Sequence, residues 1–372
     1  MCTSLIYLDD SNKAYFGRTL ELTSDLPYQL VYFPAKLGFS SELEGHPALT
    51  YESRYGVLAV TMPGRMPSAD APLGFKDLKV LEGMNDQGLT FSLLSYPTAG
   101  GGGHEVVAAT QAVLSASDLG TWALGQFATV TEVKSALDDQ PVLLEALTLL
   151  GGVESPFHYV VHDASGASFV IEFNNGEMKT YDNPVGVMTN GPEFSWHLTN
   201  MDNYSFLSNV DKSSGTFGGY HARQPDSGIA TAGLPASNTS VGRFVRAAYY
   251  AQFAERAKTP DLAVMTLAHV MNNFDRPRGI TIDYPSGDGG HLEVAGLSQG
   301  SDETYATEYT CWTNLSDLDR KRFYLRTYRS LNYASFDLDA LVDAGGVCVL
   351  PVSHLDGLYG DATTTLKDAK AA

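Results

Sequence analysis

Residues 1–22 read MCTSLIYLDDSNKAYFGRTLEL, two apolar runs separated by the polar turn DDSNK. Alternation along 14–22 places Tyr15, Gly17 and Thr19 on one face of a strand and Phe16, Arg18 and Leu20 on the other. An unpaired guanidinium on an apolar face is costly. Arg18 must therefore meet a thiolate or carboxylate inside the protein, or reach water along its own aliphatic stem. Glu21 lies three residues on, at a strand end where the chain can turn inward. Cys2 follows the initiator methionine, which is commonly trimmed when the next residue is small. Trimming would leave a thiol and a free α-amine on one residue, with ordinary pKa values of about 8.5 and about 7.7–8.0. The pair is matched for proton transfer, so one residue could supply nucleophile and general base together. The alternative is an inert, buried strand-end thiol.

Further strand signals follow at YQLVYFPA and YGVLAVT, and KVLEGMNDQGLTFSLLSYP predicts a hairpin turning at NDQG. TAGGGGH at 98–104 reads as a flexible connection, and it lacks the Gly-Lys-Ser/Thr ending of a phosphate loop. The spacing in 117–139 and in PVLLEALTLL at 141–150 predicts helices. Strands resume at 157–190, with turns at ASGA and NNGE. Residues 191–240 form a polar, aromatic-studded excursion, too long to be an ordinary loop. Two helices are then expected, one from Ser240 as N-cap and one opened by Thr259 and Pro260. The turn NNFDRPRG at 272–279 would leave Arg276 and Arg278 near the surface. The order strands, helices, strands, helices, strands fits an α+β fold of two antiparallel sheets packed face to face with helices outside. One domain is expected over 2–360, with 361–372 a flexible tail.

The 372 residues carry a formal net charge of −19, which argues against nucleic acid as a partner. Without a cluster of Lys and Arg, an anionic membrane surface is not expected either. The three cysteines, Cys2, Cys311 and Cys348, are too few and scattered for a disulfide framework, and the last two read as buried structural thiols. His158 and His162 are four apart, but on a strand, where they share no helical face for a metal. No basic segment followed by an apolar one opens the chain, which predicts a cytoplasmic protein if Met1 is the native start and a periplasmic one if a signal peptide has been removed.

Cys2, FGRTLE at 16–21, LEGMNDQGL at 81–89, VMTNGPEF at 187–194, NMDNY at 200–204 and SVGRFVRAA at 240–248 occur in one order. Together they resemble the choloylglycine hydrolase family, which contains bile salt hydrolases and penicillin V acylases, and the resemblance runs over roughly residues 2 to 350. It implies the N-terminal nucleophile hydrolase fold, a four-layer αββα sandwich. It also implies hydrolysis of a linear, non-peptide amide, with no metal or organic cofactor. By motif, Cys2 matches the nucleophile, Arg18 the arginine beside it, Asn190 the oxyanion-facing asparagine and Arg243 the second active-site arginine. Arg246, a turn further, is expected to be structural.

Two positions depart from the family pattern. Glu21 stands where relatives usually have aspartate, which moves the carboxylate by about 1.5 Å. Ser95 stands where bile salt hydrolases carry asparagine, although the oxyanion contact expected there is a main-chain N–H. Ser95 tilts the expected substrate toward penicillin V or an N-acyl homoserine lactone, with conjugated bile salts as the alternative. A non-catalytic binding protein on the same fold is the competing class. The resemblance further implies a homotetramer that exchanges residues 195–235, a stretch that would equally serve as a pocket lid.

Overall fold

The computed structural model describes residues 1–68, 70–103, 106–284 and 305–370. His104, the last residue of the glycine-rich connection, lies outside them. Numbering only the strands of the two main sheets, the chain runs β1 (Cys2–Leu8), β2 (Ala14–Leu22), β3 (Gln29–Phe33), β4 (Val57–Pro63), β5 (Leu78–Asn85) and β6 (Thr90–Ser95). It continues with β7 (Phe157–His162), β8 (Ser168–Asn174), β9 (Glu177–Asp182), β10 (Val187–Met188) and β11 (Tyr309–Asp317). The last four are β12 (Arg322–Thr327), β13 (Ala334–Asp337), β14 (Cys348–Pro351) and β15 (Gly360–Asp361).

One sheet has the order β10-β1-β2-β11-β12-β13-β15, and the other β9-β8-β7-β6-β5-β4-β3-β14. Pairing is antiparallel throughout except between β13 and β15. Helices α1 (Leu119–Gln126) and α2 (Val130–Leu137) cover the second sheet. The first sheet is covered by α4 (Ser240–Phe253) and α5 (Pro260–Met271), with α3 (Phe194–Met201) beside α4. This is the expected αββα sandwich. Its inner layer is apolar, drawn from both sheets.

β2 lies between β1 and β11 and is buried on both faces, so its alternation sorts side chains into two layers. Gly17 faces the helices: a Cβ there would come within 2.8 Å of Met271 and 3.0 Å of Leu267 on α5. Arg18 faces the other sheet. The NDQG hairpin forms as expected, with Gly88 at φ +81° and no room for a Cβ against the Leu318 carbonyl.

Several expectations need correction. Residues 141–150 are not a helix: 142–143 pair with 114–115, 146–147 pair with 153–154, and only 148–150 make a single 3-10 turn. Pairing with 114–115 at one end and 153–154 at the other draws the run into strands and leaves only that turn between them. The cap of α4 is Thr239, whose hydroxyl accepts the Gly242 N–H, and not Ser240. α5 does begin at Thr259 and Pro260 as expected. Arg276 is buried, its charge answered by Glu308 at 3.0 Å and Thr281 at 2.6 Å. The tail is not frayed over 363–368, which form α6 with Leu366 completely buried. The excursion 191–239 presents Phe206, Val210, Phe217 and Tyr220 to solvent.

Leu366→Ala should cost about 2–5 kcal/mol, the range for emptying a closed core site, and thermal unfolding would read it; a frayed tail would give no change. His162, its ring tilted against Phe16 at 5.0 Å between centres, has no partner for either ring nitrogen among the described residues, and burial pushes it down to about 3. The unfolded chain takes up a proton near its ordinary value of about 6.5, which the folded state refuses. Stability therefore falls as pH drops from about 6.5 toward about 3. His162→Leu should lose less stability than wild type between about pH 7 and about pH 4, measured by urea unfolding at both.

Candidate active site

β1 places Cys2 opposite Leu20 and Thr3 opposite Thr19. The Cys2 sulfur thus shares the inner layer with Arg18, and Thr3 shares the helix side with Glu21. Arg18 Nη2 donates toward Cys2 Sγ at 3.4 Å and to the main-chain oxygen of Leu93. Its Nη1 donates to the Leu81 oxygen and to Glu82 Oε2 at 3.3 Å. The indole of Trp312 lies against the guanidinium, 5.0 Å from Cζ to the ring centre. Burial opposes the Arg18 charge, but Cys2 and Glu82 outweigh it and hold the guanidinium above its ordinary value.

Asn190, just past β10, reaches Cys2 from the side. Its Oδ1 accepts the Cys2 N–H at 2.9 Å and Arg243 Nη2 at 2.7 Å. Its Nδ2 donates to the Ser95 oxygen at 2.8 Å, so both ends of the amide are fixed by their partners. One Nδ2 hydrogen remains uncommitted. The Tyr96 N–H donates to Pro156, so by the alternation of an antiparallel ladder the Ser95 N–H and C=O both point to the opposite edge. There β6 has parted from β5, whose pairing with it ends at Glu82–Ser92. The Asn190 amide and the Ser95 main chain thus meet at this open edge, and N–H donors of this kind suit a developing oxyanion.

Arg243, buried on α4, donates through Nη1 to the Cys2 carbonyl and to Thr3 Oγ1 at 2.7 Å. Burial pulls its guanidinium down, opposed by Glu21 and Cys2. Glu21 Oε1 accepts from Thr310 Oγ1 at 3.1 Å, and Oε2 has no partner among the described residues. Burial pushes its carboxyl up against the pull of Arg243 and of the chain's amino terminus. Met1 precedes Cys2 here, its oxygen accepting the Glu21 N–H at 2.8 Å and its amine 3.4 Å from Glu308.

All six residues singled out from the sequence, Cys2, Arg18, Glu21, Ser95, Asn190 and Arg243, are therefore drawn to one place. Arg246 is structural as expected, donating to the oxygens of Pro235 and Ser237 and to Asn238 Oδ1. Cys311 and Cys348 are buried, which pushes both thiols up.

Sequence reasoning missed the residues that hold the site from behind. Ser240 Oγ accepts the Asn190 N–H at 2.9 Å and meets Thr189 Oγ1 at 3.0 Å. His197 Nε2 donates to the Asn190 carbonyl at 2.9 Å, and burial pushes the imidazole down to about 4, so it is neutral and donates from this nitrogen. His158 Nε2 holds the Thr189 carbonyl at 3.0 Å while Nδ1 faces Glu172 at 3.3 Å. Glu82 was also missed, though an acid inside the apolar run of β5 carries the same signal that marked Arg18.

Comparison with known proteins follows this geometry. Residues 2–288 match the family described as linear amide C-N hydrolases, choloylglycine hydrolase family. A bile salt hydrolase/transferase of Lactiplantibacillus plantarum is 28% identical, covering 92% of this chain and 96% of its own. A penicillin V acylase of Pectobacterium atrosepticum is also 28% identical, but over 67% of this chain and 59% of its own. Among solved structures, a penicillin V acylase from Agrobacterium tumefaciens superposes with a TM-score of 0.72 at 21% identity, covering 98% of this chain and 96% of its own. A conjugated bile acid hydrolase from Clostridium perfringens does so with 0.71 at 20% identity, covering 91% and 93%. These likenesses carry the fold, and the family match over most of the chain carries the class. The chain belongs to the choloylglycine hydrolase family of linear amide C–N hydrolases.

Proposed function

We propose that the chain hydrolyses the side-chain amide of conjugated bile salts, with Cys2 as nucleophile once Met1 has been removed. The observation that carries the thiol reading is the buried contact of Arg18 Nη2 with Cys2 Sγ at 3.4 Å, beside the Asn190 amide. Bile salts are favoured over the penicillin V or homoserine lactone expected from Ser95, because sequence relatives from Lactiplantibacillus plantarum and Lactobacillus acidophilus, aligned over 92% and 88% of this chain, carry bile salt or bile acid names. Penicillin V is the second reading, and Ser95 is the residue that favours it.

Loss of Met1 leaves the Cys2 α-amine next to Asn190 Oδ1. Glu21, with one oxygen unpartnered among the described residues, supplies negative charge on the helix side. The amine takes the thiol proton, and the sulfur attacks the amide carbonyl. The oxyanion is received by Asn190 Nδ2 and the Ser95 N–H. The C–N bond then breaks, the protonated α-amine giving its proton to the leaving nitrogen. Water attacks the thioester, its proton passing to the amine, and the free acid departs as the thiol is restored. Arg18 sets its positive charge against the sulfur, and Arg243 fixes the Cys2 carbonyl.

Amine release from glycocholate, taurocholate, penicillin V and a long-chain acyl homoserine lactone should be measured with wild type and Cys2→Ala, after intact mass shows Met1 absent. The expected result is release from the two bile salts that vanishes in Cys2→Ala. Preference for penicillin V would establish the second reading, and silence from wild type on all four would turn the fold to a binding role. Asn190→Ala should lower kcat by about 10²–10³-fold with a smaller change in KM, the signature of a lost oxyanion donor. Equal losses in kcat and in thiol reactivity would instead show that the site had collapsed.

A further inference from the structure

Arg18 has two acidic neighbours. Nη2 lies 3.4 Å from Cys2 Sγ and Nη1 lies 3.3 Å from Glu82 Oε2. Glu82 is completely buried and Cys2 almost so. Glu82 Oε2 also accepts the Ser92 hydroxyl, and Oε1 has no partner among the described residues. One positive charge therefore faces two groups that can turn negative, in a layer from which water is excluded. Two negative charges in such a layer disfavour each other.

We propose that Glu82 competes with the Cys2 sulfur for the charge of Arg18, so that a neutral Glu82 leaves that charge to the thiolate and an ionised Glu82 offsets it. Glu82 acts through Arg18 and is a positioning residue, not one that meets substrate. The consequence for catalysis rests on the thiol reading above; the competition itself does not.

Geometry supports competition over simple anchoring. The Leu81 and Leu93 carbonyls hold the guanidinium whether or not Glu82 is charged. The groups facing the pair from the surrounding elements are few. β1 supplies Cys2, β2 Arg18, β6 the uncharged Ser92 and β11 the uncharged Trp312. Tyr28 faces it too, and burial pushes its hydroxyl well above the ordinary value, so it stays neutral; Arg243 on α4 adds a second positive charge that acts on Cys2 in either state of Glu82. Burial pushes Glu82 up to about 7, against the pull of Arg18 and Ser92, which leaves it poised to change charge near neutrality.

The two roles predict opposite signs for Glu82→Gln. The test is the thiolate ultraviolet absorbance of the full chain near neutral pH, with Met1 removal confirmed by mass. It is taken as the difference from the same protein carrying Cys2→Ala. Competition predicts that the thiolate fraction of Cys2 rises about tenfold wherever the thiol is mostly protonated, as for a shift of about one pH unit. An unchanged or smaller fraction would overturn the proposal and leave Glu82 a mere anchor. Should Glu82→Gln fail to fold, Ser92→Ala removes the hydroxyl that favours ionised Glu82 and should raise the thiolate fraction in the same direction by less. No rise there would equally count against it. Retention of amide hydrolysis by Cys2→Ala would sink the nucleophile reading without touching this measurement.

Discussion

A guanidinium with no access to water has to be answered by protein atoms, and Arg18 sits completely buried between the two sheets. Its partners come from three strands: the sulfur from β1, and carbonyls and a carboxylate from β5 and β6. The two sheets can approach here only if those groups line up, so the charge fixes their relative position as well as the nucleophile's surroundings. β5 and β6 stop pairing beyond Glu82 and Ser92. The fork so formed exposes the Leu81 and Leu93 carbonyls to Arg18, and the Ser95 amide to the reacting centre. Catalytic geometry and sheet packing are therefore one constraint.

Around that charge the site divides between layers. The inner side carries sulfur, Arg18 and Glu82, and the helix side carries Arg243, Glu21 and Thr3. Asn190 bridges them, touching the Cys2 amide, Arg243 and Ser95 at once. It can do so because its own backbone is gripped by Ser240 and His197, and its neighbour Thr189 by His158. The side chain that grips Cys2 from the side is thus held in turn through its own backbone.

How much of this could be read in advance follows from the range of each interaction. The strand at 14–22 and the anomaly of Arg18 were legible, because alternation is local and a charge on an apolar face breaks it visibly. Asn190 and Arg243 were reached only through the motifs around them, since nothing in MTNGP or GRFVR states that the two will share an oxygen. Ser240 read as a cap because hydroxyls at helix starts usually are; Thr239 took that role, and Ser240 turned to Asn190, 50 residues away. Arg276 read as exposed because Pro277 and Gly279 mark a turn, while the carboxylate that buries it lies 32 residues further on. The run 141–150 misled for the same reason: its apolar pattern suits a helix, and the segments at 114–115 and 153–154 that pair with it instead lie outside the run.

β1 precedes every other strand of the two sheets along the chain, and it ends up inside its sheet rather than at an edge. Its Cys2 amide waits for Asn190, 188 residues downstream, and its carbonyl for Arg243, 241 residues downstream. Such long-range closure is slow to form. Until then the Cys2 backbone has neither Asn190 nor Arg243 to hold it. The surroundings of the thiol therefore cannot assemble before α4 has been made.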